Sequence, residues 1–179
     1  MSDALEAFKL SIKDAEFLLK LSSEKAVHES QESSDILKRS TLVMIFTAWE
    51  TYIEDRVQEA IREKLSILKG SFIETFISEE LTESINKLHN PDSAKTKHLF
   101  EKFLNINVQN AWKIDGLQPQ EVATQLNYLI KKRGESVHRS RCGDKHIVSK
   151  QDAEKALSFI KKLVNVTDKY ITEQTCPHK

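Results

Sequence analysis

The sequence predicts an all-α protein, a helical bundle built around one long central helix. Only four glycines and three prolines interrupt 179 residues, so turns are few and the elements must be long. Apolar residues recur at helical spacing along most of the chain, and no segment shows the alternation of a strand. A chain of this length can bury about 70% of its unfolded surface as one domain. We therefore expect a single helical domain over residues 1–179, with a frayed tail at 173–179.

The composition is that of an ordinary globular chain, with 39% hydrophobic and 30% charged residues. The 27 basic and 27 acidic residues balance, so no overall field attracts nucleic acid. No uncharged run approaches the roughly 18 residues of a membrane span, and acids interrupt the N-terminus where a signal peptide would be apolar. Two cysteines do not suggest a disulfide framework and suit a reducing compartment. We expect a cytoplasmic protein without membrane association.

The first half of the chain contains two predicted helices. Helical spacing over residues 3–21 indicates the first helix. A polar gap at 22–34 follows and leads to a helix start at Ser33 or Ser34. The central helix is predicted from about Asp35 to Lys69.

One part of the central helix, residues 41–47, is apolar nearly all round, as expected of a core helix. Glu50 and Glu54 follow it, one turn apart. We favour an exposed surface for both, while a polar contact near a functional site is the alternative.

Gly70 ends the central helix. Three shorter segments follow it. The first is a helix that stops before Pro91 and has apolar residues at helical spacing: Phe72, Phe76, Ile77, Leu81, Ile85 and Leu88. A short helix is predicted over Ser93–Leu104. Residues 105–118 lack periodicity, and we expect Val108 and Trp112 to anchor them to the core.

The last two helices flank a basic loop. Pro119 suits the first position of a helix. The apolar stripe of the helix that begins there is predicted to comprise Val122, Leu126, Leu129, Ile130 and Val137. A loop follows His138, and then Ser149 and Asp152 resemble a capping box that begins the final helix, which we expect to reach about Thr172.

Arg133 and His138, five residues apart at the end of the penultimate helix, are the candidate site. Spacing alone has no weight, because Arg141 and His146 repeat it within the loop. The surrounding charge adds to the case. Between Lys131 and Lys150 seven cations face two acids, a local balance of 7 − 2 = +5.

Helix geometry places Arg133 near the predicted apolar face. Measured from Val137, Arg133 lies about 40° to one side and His138 about 100° to the other. An arginine so placed needs a carboxylate, a phosphate or a subunit boundary. Gly134 would let the backbone bend or another chain approach. Alternatively, Arg133 pairs with an acid of the central helix and His138 is simply exposed.

The segment Arg133-Gly-Glu-Ser-Val-His-Arg139, followed by a loop and a closing helix, resembles the R-x4–6-H motif of the HEPN superfamily. The segment Leu42-Val-Met-Ile-Phe-Thr-Ala-Trp-Glu-Thr-Tyr-Ile-Glu54 is similar to the family's earlier core helix. The likeness is closest to the bacterial RiboL-PSP and MAE-type HEPN proteins, and it spans most of the chain.

This resemblance implies a helical bundle that dimerises, with motifs of both chains lining one cleft. It also implies a metal-independent endoribonuclease, often a toxin or an antiviral effector, with Arg133 and His138 as the catalytic pair. An antitoxin or effector protein is then an expected partner. Two positions differ from the family pattern. Gly134 stands where a polar residue is common, and Ser140 stands where toxins silenced by nucleotidylation carry tyrosine, which disfavours an antitoxin of that type.

The chemistry of these residues suits RNA cleavage. A histidine can move the 2′-hydroxyl proton near neutral pH, and an arginine presents a fork of donors to phosphate oxygens. We expect Lys132, Arg139 and Arg141 to hold flanking RNA phosphates. One histidine does not readily serve as both base and acid, which is a physical reason to expect a homodimer.

Supporting roles are expected for four residues: Gly134, Glu135, Ser136 and Glu50. The cysteine and histidine spacings match no strong zinc pattern, so we expect neither a metal nor a cofactor. The alternative function is a catalytically silent HEPN-fold module that binds RNA, a nucleotide or another protein.

Overall fold

The computed structural model describes residues 1–23, 31–138 and 148–175, apart from the side chain of His138. Within these ranges the chain forms six α-helices: α1 (Asp3–Leu21), α2 (Gln31–Leu65), α3 (Phe72–Asn86), α4 (Ser93–Leu104), α5 (Pro119–His138) and α6 (Lys150–Thr175). Two 3-10 helices lie at Ser66–Leu68 and Val108–Ala111. No strand forms in these ranges, beyond one isolated bridge between Ile114 and Leu117. The predicted all-α class is confirmed.

The centre of the bundle is α2, which packs against α1, α4, α5 and α6. Trp49 and Tyr52 lie fully buried on it, and the ring of Tyr52 meets Phe8 of α1 edge-on at 5.9 Å. The indole Nε1 of Trp49 donates to the carbonyl of Pro91 at 2.8 Å, which satisfies its one polar group inside the core. Both tryptophans are core residues, as aromatic side chains of this size are expected to be.

The helices α1 and α4 have the predicted bounds, and each begins after a side-chain cap that the sequence analysis did not use. Ser2 caps α1, its hydroxyl accepting from the amide of Leu5 at 3.0 Å. Asp92 caps α4 in the same way, accepting from the amide of Lys95 at 2.8 Å. Such side chains satisfy backbone donors that the helix itself leaves free.

The predicted bounds of the central helix were wrong at both ends. α2 begins at Gln31, within the polar gap, and its regular part ends at Leu65 before a 3-10 turn. Gln31 donates to Asp35 one turn later at 2.9 Å, and buried Ser34 donates to the carbonyl of Ser22 at 3.3 Å. Polar residues therefore build this first turn, and apolar periodicity could not detect it.

The apolar stripe predicted for α3 is only partly covered by the bundle, with Ile77 and Ile85 packed partly buried against the core. Leu81 is buried, but Phe72 is 83% and Phe76 55% exposed. Periodicity reports that a helix has an apolar face, and it does not report whether a partner within the chain covers that face.

The irregular segment at 105–118 is anchored as predicted. Val108 and Trp112 are both fully buried. The indole Nε1 of Trp112 donates to the hydroxyl of Thr167 on α6 at 3.0 Å, so this segment holds the last helix as well as filling the core.

The C-terminal helix begins at the predicted capping box. The Ser149 amide donates to the Asp152 carboxylate at 3.0 Å, and the Asp152 amide donates to the Ser149 hydroxyl at 3.1 Å. α6 reaches Thr175, three residues beyond the predicted end. None of the helices in the described ranges is long and apolar enough to cross a membrane.

A buried ion pair joins the centre of α2 to α6. Arg56 Nε donates to Asp168 at 3.1 Å, and Arg56 also donates to the hydroxyl of Thr172 at 3.1 Å. Side-chain exposure is 2% for Arg56 and 5% for Asp168. The hydroxyl of Ser2, which caps α1, donates to the same carboxylate. Burial, followed by the nearby charge of Asp168, raises the pKa of Tyr52 well above its usual value. This cluster fixes three helices to one another.

Candidate functional site

The buried face of α5 is rotated from the predicted one, and the rotation brings Arg133 onto it. Val137 is 44% exposed, so it does not belong to the core stripe, whereas Ser136 is 1% exposed. On a regular helix Arg133 lies within about 20° of Val122 and Leu126, which are both fully buried. Arg133, a permanent cation, therefore lies on the face of α5 that packs against the bundle.

The Nε atom of Arg133 is buried and has no hydrogen-bond partner among the residues that the structure describes. A buried donor left unpaired costs roughly 1–3 kcal/mol. The expected alternative, an ion pair between Arg133 and an acid of the central helix, is not formed within the described ranges. Arg133 thus carries a charge and a free donor that no described residue of its own chain uses.

The backbone around Arg133 is regular. α5 continues through Gly134 to His138, so the glycine does not interrupt the helix. A Cβ atom at Gly134 would meet nothing within 4 Å. The absence of a side chain is therefore not required by packing inside this chain, and it leaves the surface beside Arg133 open to close approach.

Ser136 supports this turn from the buried side. Its hydroxyl donates to the carbonyl of Arg133 at 2.8 Å. That bond satisfies the only polar group of the Ser136 side chain within the helix, so Ser136 acts on the backbone of the motif. Glu135, next to it, is half-buried.

Lys132 has a partner that sequence reasoning missed. Its ammonium group forms an ion pair with Asp152 at 2.9 Å, with the two side chains 22% and 34% exposed. Burial acts to raise the pKa of Asp152, but hydrogen bonds from Ser149 and Lys132 outweigh it and leave the pKa lowered. The pair ties the end of α5 to the first turn of α6. A predicted phosphate ligand therefore has a structural contact in addition.

The remaining predicted residues are placed as follows. The backbone of His138 ends α5, five residues and about 7.5 Å of helix rise beyond Arg133. Its side chain, together with Arg139 and Arg141, lies outside the described residues. Glu50 and Glu54 are half-buried, which corrects the expected exposed surface. The carboxylate of Glu50 accepts from the amide of Asn90 at 2.9 Å, in the turn between α3 and α4.

The sequence contained signals for the two ion pairs that were missed. Asp152 was visible as a capping residue, an acid at the start of the helix that follows the basic end of α5. Arg56 stands between Ile53 and Ala60 on the buried face of α2. A charge within an apolar stripe requires a partner, and Asp168 stands in the same way between Val164 and Ile171 of α6.

Within the described residues no three His, Cys, Asp or Glu side chains group closely enough to hold a metal ion. Both cysteines and the histidines close to them in the sequence lie outside those residues: Cys142, His146, Cys176 and His178.

Comparison with known proteins gives one positive result. The family model described as RiboL-PSP-HEPN matches residues 6–173, nearly the whole chain. Neither the curated proteins nor the solved structures gave a match.

Proposed function

Since the chain belongs to the RiboL-PSP-HEPN family, whose HEPN domain points to an RNase-like or nucleotide-related function, we propose that it is a metal-independent endoribonuclease. The observation that carries the proposal is the position of Arg133. This arginine lies on the buried stripe of α5, half-buried, with a free donor and an open surface at Gly134 beside it. A phosphate is a ligand that matches both the charge and the donor.

In the proposed reaction RNA supplies its own nucleophile. The imidazole of His138 accepts the proton of a 2′-hydroxyl, and the resulting oxygen attacks the adjacent phosphorus. The bond from phosphorus to the 5′-oxygen breaks, and that oxygen receives a proton. The products are a 2′,3′-cyclic phosphate and a free 5′-hydroxyl. A well-placed general base contributes typically 10²–10⁴ in rate.

Arg133 stabilises the charge that develops on the phosphate oxygens during this attack. Its guanidinium stays ionised throughout and offers two parallel donors. Because its stem is held among buried residues, less side-chain freedom is lost when the phosphate binds. Lys132, Arg139 and Arg141 hold flanking phosphates, which provides affinity without reading the base sequence.

A homodimer completes the site. A single imidazole that has just accepted a proton is in the correct state to donate one, but one ring does not face both oxygens at once. A second copy supplies a second His138 for the leaving oxygen. Val137 is apolar and 44% exposed beside the motif, and it fits a contact between copies. Biologically, such a nuclease fits a toxin or an antiviral effector that a partner protein controls.

The test is RNA cleavage in the presence of a chelator, comparing wild type with His138→Ala and Arg133→Lys. Matched controls are His89→Ala and Arg62→Lys, since both residues are exposed elsewhere on the bundle. We expect the two motif variants to lose at least about 100-fold in rate and the controls to keep it. Cyclic phosphate ends made by wild type support the mechanism. Equal cleavage by wild type and His138→Ala refutes it and leaves a silent RNA-binding or interaction module.

Dimerisation is tested separately with Val137→Asp and the control Leu10→Asp, another exposed apolar position. Sedimentation should show wild type and the control as dimers and Val137→Asp as a monomer with little cleavage. A wild-type monomer that cleaves RNA at full rate would contradict the two-histidine arrangement.

A further inference from the structure

A stripe on α3 combines exposed aromatic rings with exposed carboxylates. Phe72, Phe76, Glu79 and Glu83 stand at positions i, i+4, i+7 and i+11, so they share one face of the helix. We call these four residues the aromatic–acidic stripe. All four are exposed, and the two rings stack on each other with centroids 6.4 Å apart.

The apolar half of this stripe is a contiguous exposed patch. Phe72 is 83% and Phe76 55% exposed, while Ile67 at 88% and Ile73 at 54% flank them. A phenylalanine buries roughly 150–250 Å² when covered, so the two rings alone offer on the order of 200–350 Å². With the flanking isoleucines the patch is comparable with the largest apolar patch of a typical folded monomer, which is often functional.

The helix packs against its own chain along one side. Leu81 is its buried residue, and Ile77 and Ile85 are partly buried against the core, while the aromatic–acidic stripe stays uncovered. Its start is held by caps: the Ser71 hydroxyl accepts from the Glu74 amide at 3.1 Å, and Glu74 accepts from the Gly70 amide. Isolated helices of this length are marginal in water, and most helix stability comes from covering an apolar face. An α3 covered by a partner would be more stable than the free one.

The charge of the acidic half selects the partner. Residues 72–86 contain four glutamates and no lysine or arginine. An open depression of about 570 Å³ runs beside the stripe and is lined by Glu74, Thr75, Ser78, Glu79, Thr82, Glu83 and Asn86. Three of these residues are carboxylates and none is a cation, so the surface attracts positive charge. Glu83 already pairs with Lys87, but both are exposed and the pair is readily exchanged.

A second copy of the chain fits this surface poorly. Pairing two stripes in parallel would bring four carboxylates together, and an antiparallel pairing would place carboxylates on aromatic rings. Both arrangements cost free energy through repulsion or desolvation. A contact with a cationic surface of another copy would close into a dimer only if one two-fold interface contained both surfaces.

We propose that the aromatic–acidic stripe binds a basic amphipathic helix of a different protein. Apolar residues of that helix would cover Phe72 and Phe76, and its lysines or arginines would meet Glu79 and Glu83. This surface is separate from the Arg133 motif, so the proposal does not depend on RNA cleavage. It would give a controlling protein a place to dock on the enzyme.

The test uses a synthetic helical peptide of about 18 residues, with leucines on one face and lysines on the other, and a matched peptide with glutamates for lysines. Fluorescence anisotropy measures binding of each to the full chain. We expect the lysine peptide to bind and the glutamate peptide to bind at least about tenfold more weakly. Added salt should weaken the binding of the lysine peptide, because it screens the contacts with the carboxylates.

Variants localise the binding. Two double variants should each lower the affinity for the lysine peptide at least about tenfold, a change of roughly 1.4 kcal/mol or more. They are Phe72→Ser/Phe76→Ser and Glu79→Gln/Glu83→Gln. Leu10→Ser/Phe17→Ser, an exposed apolar pair on α1, should leave the affinity unchanged. Circular dichroism should show all three variants folded, as surface substitutions predict.

Three results would overturn the proposal. One is equal binding of the two peptides, and another is full binding by the Phe72→Ser/Phe76→Ser variant. The third is dissociation of a dimer by that variant, which would make a second copy the occupant of the stripe.

Discussion

Arg133 combines a permanent charge with a half-buried position, and this conflict sets its effect on stability. We predict that Arg133→Leu raises the free energy of unfolding by about 1 kcal/mol, because it removes an unpaired buried donor from the helix face that carries Val122 and Leu126. Urea denaturation measures this. The same variant should lose RNA cleavage, a separation of stability from activity that marks functional residues. A destabilised Arg133→Leu would show that the guanidinium has a structural partner.

Gly134 is the second residue whose replacement separates the two properties. A methyl group there has space within the chain, and glycine inside a helix costs roughly 0.5–1 kcal/mol relative to alanine. Gly134→Ala should therefore raise the midpoint of thermal unfolding. If RNA or a second copy approaches this turn closely, the variant should also cleave RNA more slowly. Unchanged cleavage would show that nothing approaches Gly134 closely.

At the scale of the helices, the contact between Lys132 and Asp152 ties α5 to α6 and depends on pH. The pKa of Asp152 lies below its ordinary value of 3.8, so the ionised carboxylate stabilises the fold above that pH. As pH falls through the lowered value, the contribution is lost.

We predict that Lys132→Gln lowers the free energy of unfolding by about 0.5 kcal/mol at neutral pH, the size typical of a partly exposed pair. The difference from wild type should shrink as the pH drops below 3.8 and Asp152 becomes protonated. Unfolding curves at several pH values check this. Lys150→Gln, which changes an exposed pair with Glu154, is the matched control. A difference in the free energy of unfolding that persists in acid would show that the aliphatic stem of Lys132, rather than its charge, stabilises the fold.

How well the sequence predicts each helix depends on whether apolar periodicity marks the whole helix or only part of it. The bounds predicted for α1 and α4 are confirmed, and the structure adds the side chains that cap them, Ser2 and Asp92. The start of α2 was missed because its first turn is built by polar residues such as Gln31. The exposure of Phe72 could not be predicted, since burial is a property of neighbours and periodicity is a property of one helix.

The candidate site shows the same limit. Sequence spacing placed Arg133 near the core, and the structure brings it closer because Ser136, rather than Val137, faces inward. A serine on a buried stripe carries no apolar signal, so the rotation of the stripe was hidden. The partner of Lys132 was missed as well, because a contact between residues twenty positions apart leaves no periodic signal, although Asp152 was visible as a capping residue.

At the scale of the whole molecule, the Arg56–Asp168 pair is the polar centre of the bundle. We predict that Arg56→Met lowers the free energy of unfolding by about 3–5 kcal/mol, because it leaves a buried carboxylate unpaired. The double variant Arg56→Met/Asp168→Leu should lose much less, since no charge remains buried. A double-mutant cycle by urea denaturation measures the coupling. Equal losses in the single and double variants would mean that packing alone makes the pair important.

The bond between Ser2 and Asp168 also has a consequence for synthesis of the protein. The two residues are 166 positions apart, and contacts of such separation form late in folding. The ribosome releases α5, with Arg133, before it releases the part of α6 that holds Asp168. A growing chain therefore displays the motif before the helix that secures its bundle has emerged. The nuclease that we propose would acquire its secured bundle only after that helix has emerged, so the motif of a growing chain would stand on an incompletely packed scaffold.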